Sequence, residues 1–234
     1  MTEIERLSKQ VIACTRCPRL VEYRDAVARK KRRAFQDEAY WGRPVPGFGD
    51  PDARLLIVGL APAAHGANRT GRMFTGDGTG AGGFLMEALY RAGFANQPTS
   101  EHCDDGLALK DAYLTAVVRC APPNNRPTAQ EIGNCMGYLK RELVLLSKVH
   151  VVLALGQIAF VNYLSLLKRQ GVSVPRPRPR FTHGATYTLD SRWPSLIASY
   201  HPSRQNTQTG RLTEAMFDRI FEQVKRLINI EEVL

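Results

Sequence analysis

The stretch Gly59-Leu-Ala-Pro-Ala-Ala-His-Gly-Ala-Asn-Arg-Thr-Gly-Arg-Met-Phe-Thr-Gly-Asp77 decides how this chain folds. It follows residues 53–58, whose short, uninterrupted apolar run is typical of a buried parallel strand. The segment 79–92, rich in Ala, Leu and Met, follows and predicts a helix. The stretch is therefore expected to be a loop at the carboxyl end of a strand, where open α/β sheets bind ligands. Its glycines, arginines, aromatic residue and acid suit a flat polar ligand attached to phosphates.

The same strand, loop and helix pattern recurs along the chain. We predict strands over 53–58, 111–118, 149–155 and 195–200 and helices over 79–92, 129–147, 157–170 and 211–229. Thr128 and Glu131 form a capping box at the start of one of these helices. The alternation predicts a three-layer α/β/α fold with a four-stranded, mainly parallel sheet.

The first part of the chain does not follow this alternation. Residues 3–13 and 18–34 are predicted to be helices, and 36–52 a connecting loop. We interpret 1–52 as an N-terminal helical extension that carries cysteines and 53–234 as the α/β core, together one domain over 1–234.

Charge and composition indicate the class of partner. The chain of 234 residues has 32 Lys and Arg against 22 Asp and Glu, a net charge of +10. This excess favours a polyanion, nucleic acid first and an acidic membrane second, although a basic enzyme without such a partner has the same composition. The run Arg29-Lys-Lys-Arg-Arg33 and the Arg/Pro segment 174–180 are either phosphate contacts or solvated surface. No apolar run approaches about 18 residues, so we expect a cytoplasmic protein.

Four cysteines form a candidate metal site. Cys14 and Cys17 make a CxxC in the extension, Cys120 follows a predicted strand, and Cys135 lies in the next helix. Four thiolates suit a structural zinc ion or an iron–sulfur cluster, and the spacing does not choose between them. The alternative is that Cys120 and Cys135 are ordinary buried thiols. Cys103, in a polar loop, is left out of the site.

Taken together, the motifs resemble those of a known family. They are Gly59–Ala63 with Gly66 and Asn68, the continuation 70–77, Arg119-Cys-Ala-Pro-Pro123 with Asn125, and His201-Pro-Ser203 with Asn206. In this order and spacing they resemble the uracil-DNA glycosylases, specifically the iron–sulfur branch called family 5. Each motif is short, but the resemblance covers nearly the whole chain. It implies a monomeric, nucleoid-associated DNA-repair hydrolase with a structural [4Fe–4S] cluster on Cys14, Cys17, Cys120 and Cys135.

The resemblance implies a role for each motif, because a glycosylase must take the base out of the duplex and hold it in a pocket. Phe74 would stack on the base, and Gly59, Ala61 and Ala63 would line the pocket. Asn125 would read the base edge. His201 would donate a hydrogen bond to the charge that develops on the departing uracil. The expected DNA contacts are Asn68, Arg72, Ser203, Arg204 and Gln205, the last two as a wedge in the space left by the base.

The first motif departs from the wider superfamily. Other branches have Glu at the position of Leu60 or Asp at the position of Ala61, and these residues handle the water. Both positions are apolar here. Asp77, the acid of the opening stretch, is therefore our candidate for orienting or activating water, and its alternative role is a helix N-cap.

Three alternatives remain at this stage. A cluster-bearing nucleic-acid-binding module without catalysis is the first, suggested by the missing acid at Ala61. A phosphate-binding enzyme is the second, although the chain lacks the GxGxxG and GxxxxGK[ST] spacings. The third is a glycosylase that prefers deaminated purines, because small residues at 61 and 63 leave room for a larger base. The resemblance also implies activity on hypoxanthine and xanthine.

Overall fold

A computed structural model describes residues 1–76 and 78–230, except for the side chains of 229 and 230. Asp77 therefore lies outside the described residues. The strands are β1 (Phe48–Gly49), β2 (Leu55–Gly59), β3 (Ala112–Ala116), β4 (Val151–Leu155), β5 (Thr186–Tyr187) and β6 (Ser195–Ser199). The α-helices are α1 (Glu3–Ile12), α2 (Pro18–Lys30), α3 (Ala67–Thr70), α4 (Ala81–Arg91), α5 (Ala129–Leu145), α6 (Gln157–Arg169), α7 (Arg204–Gln208) and α8 (Glu214–Ile230).

The strands form one sheet in the order β1-β3-β2-β4-β6-β5. β3, β2, β4 and β6 are parallel, and β1 and β5 pair antiparallel at the two edges. From β2 the chain passes to β3 on one side and later to β4 on the other, so the strand order reverses at β2. In open α/β sheets such a reversal leaves a crevice at the carboxyl ends of the strands, where ligands bind.

Alternate residues of the strands face two apolar layers. Leu55 and Ile57 of β2 pack in the layer with α4 and α8. Leu56 and Val58 pack in the opposite layer with α2, α5 and α6. Because helices cover both faces of the sheet, the side chains on both faces of the central strands are buried. Their apolar residues therefore form continuous runs instead of alternating with polar ones.

The fold prediction is confirmed: the structure is three-layered and its four predicted strands are the parallel core of the sheet. The capping box predicted at Thr128 and Glu131 is present at the start of α5. The strand count differs, because two edge strands of two residues each extend the sheet within the described part of the chain. The second helix also ends earlier than predicted, at Lys30, and a 3₁₀ turn over Arg33–Phe35 follows it.

No helix among the described residues is long and apolar enough to span a membrane.

Candidate active site

The loop after β2 is compact and held by its own backbone. Asn68 N–H donates to the carbonyl oxygen of Ala63 at 3.0 Å, and Thr70 N–H to that of Gly66 at 3.0 Å. The short helix α3 then ends at Gly71, whose φ of 80° lies in the left-handed region that glycine adopts without strain. The loop therefore has a fixed backbone conformation and a defined inner face.

A small cavity of about 60 Å³ lies against this inner face. Gly59, Ala61 and Ala63 line it, as predicted, together with Phe74 and His201. The loops after β2 and β6 therefore meet at the carboxyl edge of the sheet, as the sequence predicted. Among the described residues that line the cavity, none is an Asp or Glu.

Phe74 has an unusual backbone conformation at this cavity. Its φ is +53°, which is rare for a bulky side chain and costs about 1–3 kcal/mol. Its ring occupies the space beside Gly59, where an added Cβ would lie 2.8 Å from Phe74 Cζ. Strain of this kind persists where the surrounding structure holds a side chain in place. The absence of a side chain at Gly59 therefore allows Phe74 to form one wall of the cavity.

His201 faces Phe74 across the cavity. The two ring centroids are 6.5 Å apart with an interplanar angle of 31°. Asn206 Nδ2 donates to the carbonyl oxygen of His201 at 2.8 Å and fixes the backbone after β6. Gly156, directly after β4, lies beside His201, and a Cβ there would be in ordinary contact with His201 Cβ at 3.4 Å. The imidazole is thus beside the space that a flat ring could occupy.

A wide cleft of about 970 Å³ adjoins the cavity. Ala63, Gly66 and Ala81 line both spaces, so the cleft and the cavity are immediate neighbours. Asn125 lines the cleft but not the cavity. Its side chain is exposed on a 3₁₀ turn, with φ of +56°. The structure therefore brings Phe74 and His201 together and leaves Asn125 at the entrance.

Two predicted DNA contacts need correction. Asn68 is completely buried, and its Nδ2 donates to the carbonyl oxygens of Arg24 and Ala64 at 3.4 Å each. Arg72 is 5% exposed, and its Nη2 lies 2.7 Å from Asp105 Oδ2 and 3.2 Å from Ser100 Oγ. Both side chains are turned inward, where they join the loop to α2 and to the segment 100–105 instead of facing DNA. Asn68 Oδ1 has no hydrogen-bond partner among the described residues.

Replacing Arg72 with Met is expected to lower the free energy of unfolding by about 1–3 kcal/mol, because the half-buried carboxylate of Asp105 loses its charged hydrogen-bond partner. Burial alone would raise the pKa of the Asp105 carboxyl, but hydrogen bonds from Arg72 and three backbone N–H groups hold it well below its usual range. This stabilisation is present above about pH 4 and is lost as the pH falls further. Urea unfolding at pH 7 and pH 3 would therefore separate the two proteins most at pH 7. Weaker DNA binding at unchanged stability would contradict this role.

The predicted wedge lies at the rim of the cleft. Ser203 and Arg204 line it, and Arg204 Nη2 donates to Thr79 Oγ1 at 3.4 Å. Gln205 is exposed in the first turn of α7. These positions agree with a surface role beside the cavity, and their contact with DNA stays a prediction.

The four predicted cysteine ligands lie in one region. Cys17, Cys120 and Cys135 are buried in the layer beneath α2 and α5, and Cys14 is half-buried beside them. Arg24 Nη1 lies 3.2 Å from Cys120 Sγ, and Asn134 Nδ2 lies 3.4 Å from Cys17 Sγ. Three chain segments thus contribute the thiols. Within the described residues, no group of three or more His, Cys, Asp or Glu side chains is arranged to hold a metal ion.

The thiols are close enough to influence one another. Burial raises the pKa of Cys120 to about 12, the Arg24 charge opposes this rise, and Cys135 and Cys14 add to it. Burial also raises the pKa of Cys135, while the backbone and charge of Arg119 lower it. Arg119 is 1% exposed and pairs with Glu142, and its Nε and Nη1 have no hydrogen-bond partner among the described residues. Two buried arginines therefore stand beside four thiols, a surrounding that suits a negatively charged group.

Sequence reasoning missed the wall that the extension contributes to the cleft. Tyr23, Arg32 and Phe35 line it opposite the loop after β2. Tyr40 Oη lies 3.1 Å from Nδ1 of His65, and burial followed by the charges of Arg32 and Arg69 lowers the His65 pKa. The basic run 29–33 pointed to this wall, but the aromatic residues around it have no periodic pattern.

Comparisons with known proteins agree on one family. A profile of the "Uracil DNA glycosylase superfamily" matches residues 46–225. A "Type-5 uracil-DNA glycosylase" of Mycobacterium leprae is 52% identical over 228 residues, covering 97% of this chain and 96% of the relative. Another of that name, from Thermus thermophilus, is 50% identical over 97% of this chain and 99% of its own length. A "Type-4 uracil-DNA glycosylase" of Archaeoglobus fulgidus is 32% identical over 68% of this chain and 70% of its own length.

Proposed function

Since the chain belongs to the uracil-DNA glycosylase superfamily and is about half identical to type-5 members, we propose that it hydrolyses the N-glycosidic bond of uracil in DNA. The observation that carries this proposal is the cavity lined by Phe74 and His201, which adjoins a cleft of about 970 Å³. The net charge of +10 supports a polyanionic substrate. The protein would act as a monomer on DNA in the nucleoid.

The reaction follows from the residues around the cavity. The flipped base enters from the cleft and stacks on Phe74, and Asn125 contacts its edge at the entrance. The bond between C1′ and the base nitrogen breaks, and its electron pair leaves with the base. His201 donates a hydrogen bond to the base oxygen that gains negative charge. Water adds to C1′ and gives an abasic site.

Asp77 is the residue we propose for the water. Leu60 and Ala61 cannot orient water, because both side chains are apolar. Its neighbours Gly76 and Gly78 line the cleft. A carboxylate at this position in the sequence would stabilise the positively charged sugar and accept a proton from the attacking water.

Replacing His201 with Ala is expected to slow the single-turnover cleavage of uracil-containing DNA by about tenfold or more, because the departing base loses an aimed donor. The affinity for DNA that contains an abasic site should change little. Quenched-flow cleavage and fluorescence anisotropy measure the two quantities. An unchanged cleavage rate would remove His201 from leaving-group stabilisation.

The proposal also concerns which bases the protein removes from DNA. The side chains of Ala61, Ala63 and Ala67 line the cavity and are small, which supports entry of hypoxanthine and xanthine as well as uracil. Asn125 at the entrance would contact either class of base.

A second candidate function is a DNA-binding module without catalysis. The observation that favours it is the cavity lining, which has no carboxylate among its described residues. One experiment decides between the two: duplexes with U:G, U:A, hypoxanthine or xanthine are incubated with the protein and then treated with alkali. Strand breaks at uracil support the glycosylase, and tight binding without breaks supports the module.

The cysteine group supports a cofactor proposal. Thiolates are the ligands of iron–sulfur clusters, and four of them stand beside two buried arginines. We assign a [4Fe–4S] cluster to Cys14, Cys17, Cys120 and Cys135. When bound, it links the extension to the core and takes no part in cleavage. Four irons and four acid-labile sulfides per chain in anaerobically purified protein would support it, and one zinc would contradict it.

A further inference from the structure

Arg24 is a buried cation in the middle of α2. Its side chain is 6% exposed, and buried arginine is rare unless it is paired. Nη1 donates to Cys120 Sγ at 3.2 Å and to the carbonyl oxygen of Cys14 at 3.4 Å. Nε lies 3.2 Å from Asp25 Oδ1, and that carboxylate is 39% exposed. The buried end of the guanidinium therefore faces the cysteines.

The backbone of the same residue contacts the loop after β2. Asn68 Nδ2 donates to the carbonyl oxygen of Arg24 and to that of Ala64, at 3.4 Å each. Ala64 lines the cleft, and its neighbour Ala63 lines the cleft and the cavity. A continuous chain of contacts thus leads from the Cys120 sulfur through α2 to the wall of the pocket.

α2 and the residues that flank it also contribute to both sites. Cys17 is its N-cap residue, while Tyr23 in the middle of the helix and Arg32 just beyond its end line the cleft. A displacement of the cysteines would therefore move a helix that forms part of the cleft wall. This arrangement gives the cysteine group a mechanical connection to a site that it does not touch.

We infer that Arg24 is a positioning residue: its guanidinium holds Cys120 in place for the cluster, while α2, through the backbone carbonyl oxygen of Arg24 and the side chain of Asn68, holds the loop after β2 against the pocket. This inference rests on the proposed cluster. Hydrogen bonds to the ligand sulfurs and nearby charges set the reduction potential of such a group. Arg24 donates a hydrogen bond to Cys120 Sγ and also places a positive charge beside it. It therefore favours the reduced state, because a positive charge stabilises an added electron.

The test compares Arg24→Met with Arg24→Lys, Asn68→Ala and a control, Arg29→Met, whose side chain is exposed on the same helix. The readouts are the rate at which visible absorbance is lost to a chelator, the reduction potential of the cluster, and amide hydrogen exchange over 61–70. Arg24→Met should lose the cluster about 10–100 times faster and have a more negative potential. Its exchange over 61–70 should also rise, because loss of the contact with Cys120 lets α2 shift, although residue 24 keeps the carbonyl oxygen that Asn68 contacts.

The other variants separate the two halves of the inference. Arg24→Lys keeps the charge and should restore part of the potential. Asn68→Ala should speed exchange over 61–70 and leave the potential unchanged. Arg29→Met should match the wild type in all three readouts.

Two results would overturn the inference. The first is a wild-type potential and chelation rate in Arg24→Met. The second is a wild-type protein that binds no cluster. Uracil cleavage by the wild-type chain is measured separately, so failure of the glycosylase proposal is recognised independently of both.

Discussion

Replacing Asp77 with Asn is expected to lower the single-turnover rate of uracil removal by about a hundredfold or more, while DNA binding remains. Asn has the same shape, but it cannot accept a proton from water or balance the positive charge on the sugar. The first motif offers no substitute, since Leu60 and Ala61 are apolar. Rates at saturating enzyme on a U:G duplex measure the chemical step without the contribution of binding.

Another carboxylate provides the comparison for this experiment. Glu101 lines the same cleft as Gly76 and Gly78, and its side chain is exposed. If Asp77 handles the water, Glu101→Gln should cleave far faster than Asp77→Asn. The reverse order would assign the water to Glu101 and remove Asp77 from the mechanism. If both variants keep the wild-type cleavage rate, departure of the base needs neither carboxylate.

Replacing Phe74 with Ala is expected to slow uracil removal by about 10–100-fold, because stacking on an aromatic ring is worth about 1–3 kcal/mol per base. The effect on stability should be unusual. Phe74 has a φ of +53°, a conformation that Ala also finds strained and that Gly adopts freely. Phe74→Gly should therefore unfold at a higher temperature than Phe74→Ala. This order is the reverse of the one found in helices and strands, where Gly destabilises a protein relative to Ala.

The stacking role and the backbone strain are tested by separate measurements. Phe74→Tyr keeps a flat ring and should retain most of the cleavage rate. Thermal unfolding of the Ala and Gly variants gives their order of stability. A more stable Ala variant would mean that the left-handed backbone at this position stores no strain. A Phe74→Ala enzyme with an undiminished rate would mean that the base does not stack there.

The parallel core of the sheet could be predicted because its strands are buried on both faces. Residues such as Ile57 and Leu153 belong to uninterrupted apolar runs, and the helices between them have ordinary periodicity. The edge strands Phe48–Gly49 and Thr186–Tyr187 could not be predicted, because two residues are too few to establish a pattern. The pairing of β1 also depends on β3, which is distant in sequence.

Part of the site could also be predicted from the topology of the sheet. The loops after β2 and β6 had to meet at one edge of a parallel sheet, so Phe74 and His201 could be placed together. The predictions for Asn68 and Arg72 were wrong, because a polar residue in a glycine-rich loop has two possible uses. It can face a ligand, or it can satisfy the polar atoms of the loop itself, and the sequence alone does not distinguish them. The roles of Asn125 and Asp77 stay predictions.

The short antiparallel strands at the two ends of the sheet also bear on how the protein behaves at high concentration. β1 and β5 contribute only two residues each at the edges that the structure describes. A long open edge would present a row of unpaired backbone N–H and C=O groups to a second chain. An edge strand of two residues presents few such groups for pairing. Copies of the molecule at high concentration therefore have little tendency to join their sheets into a continuous aggregate.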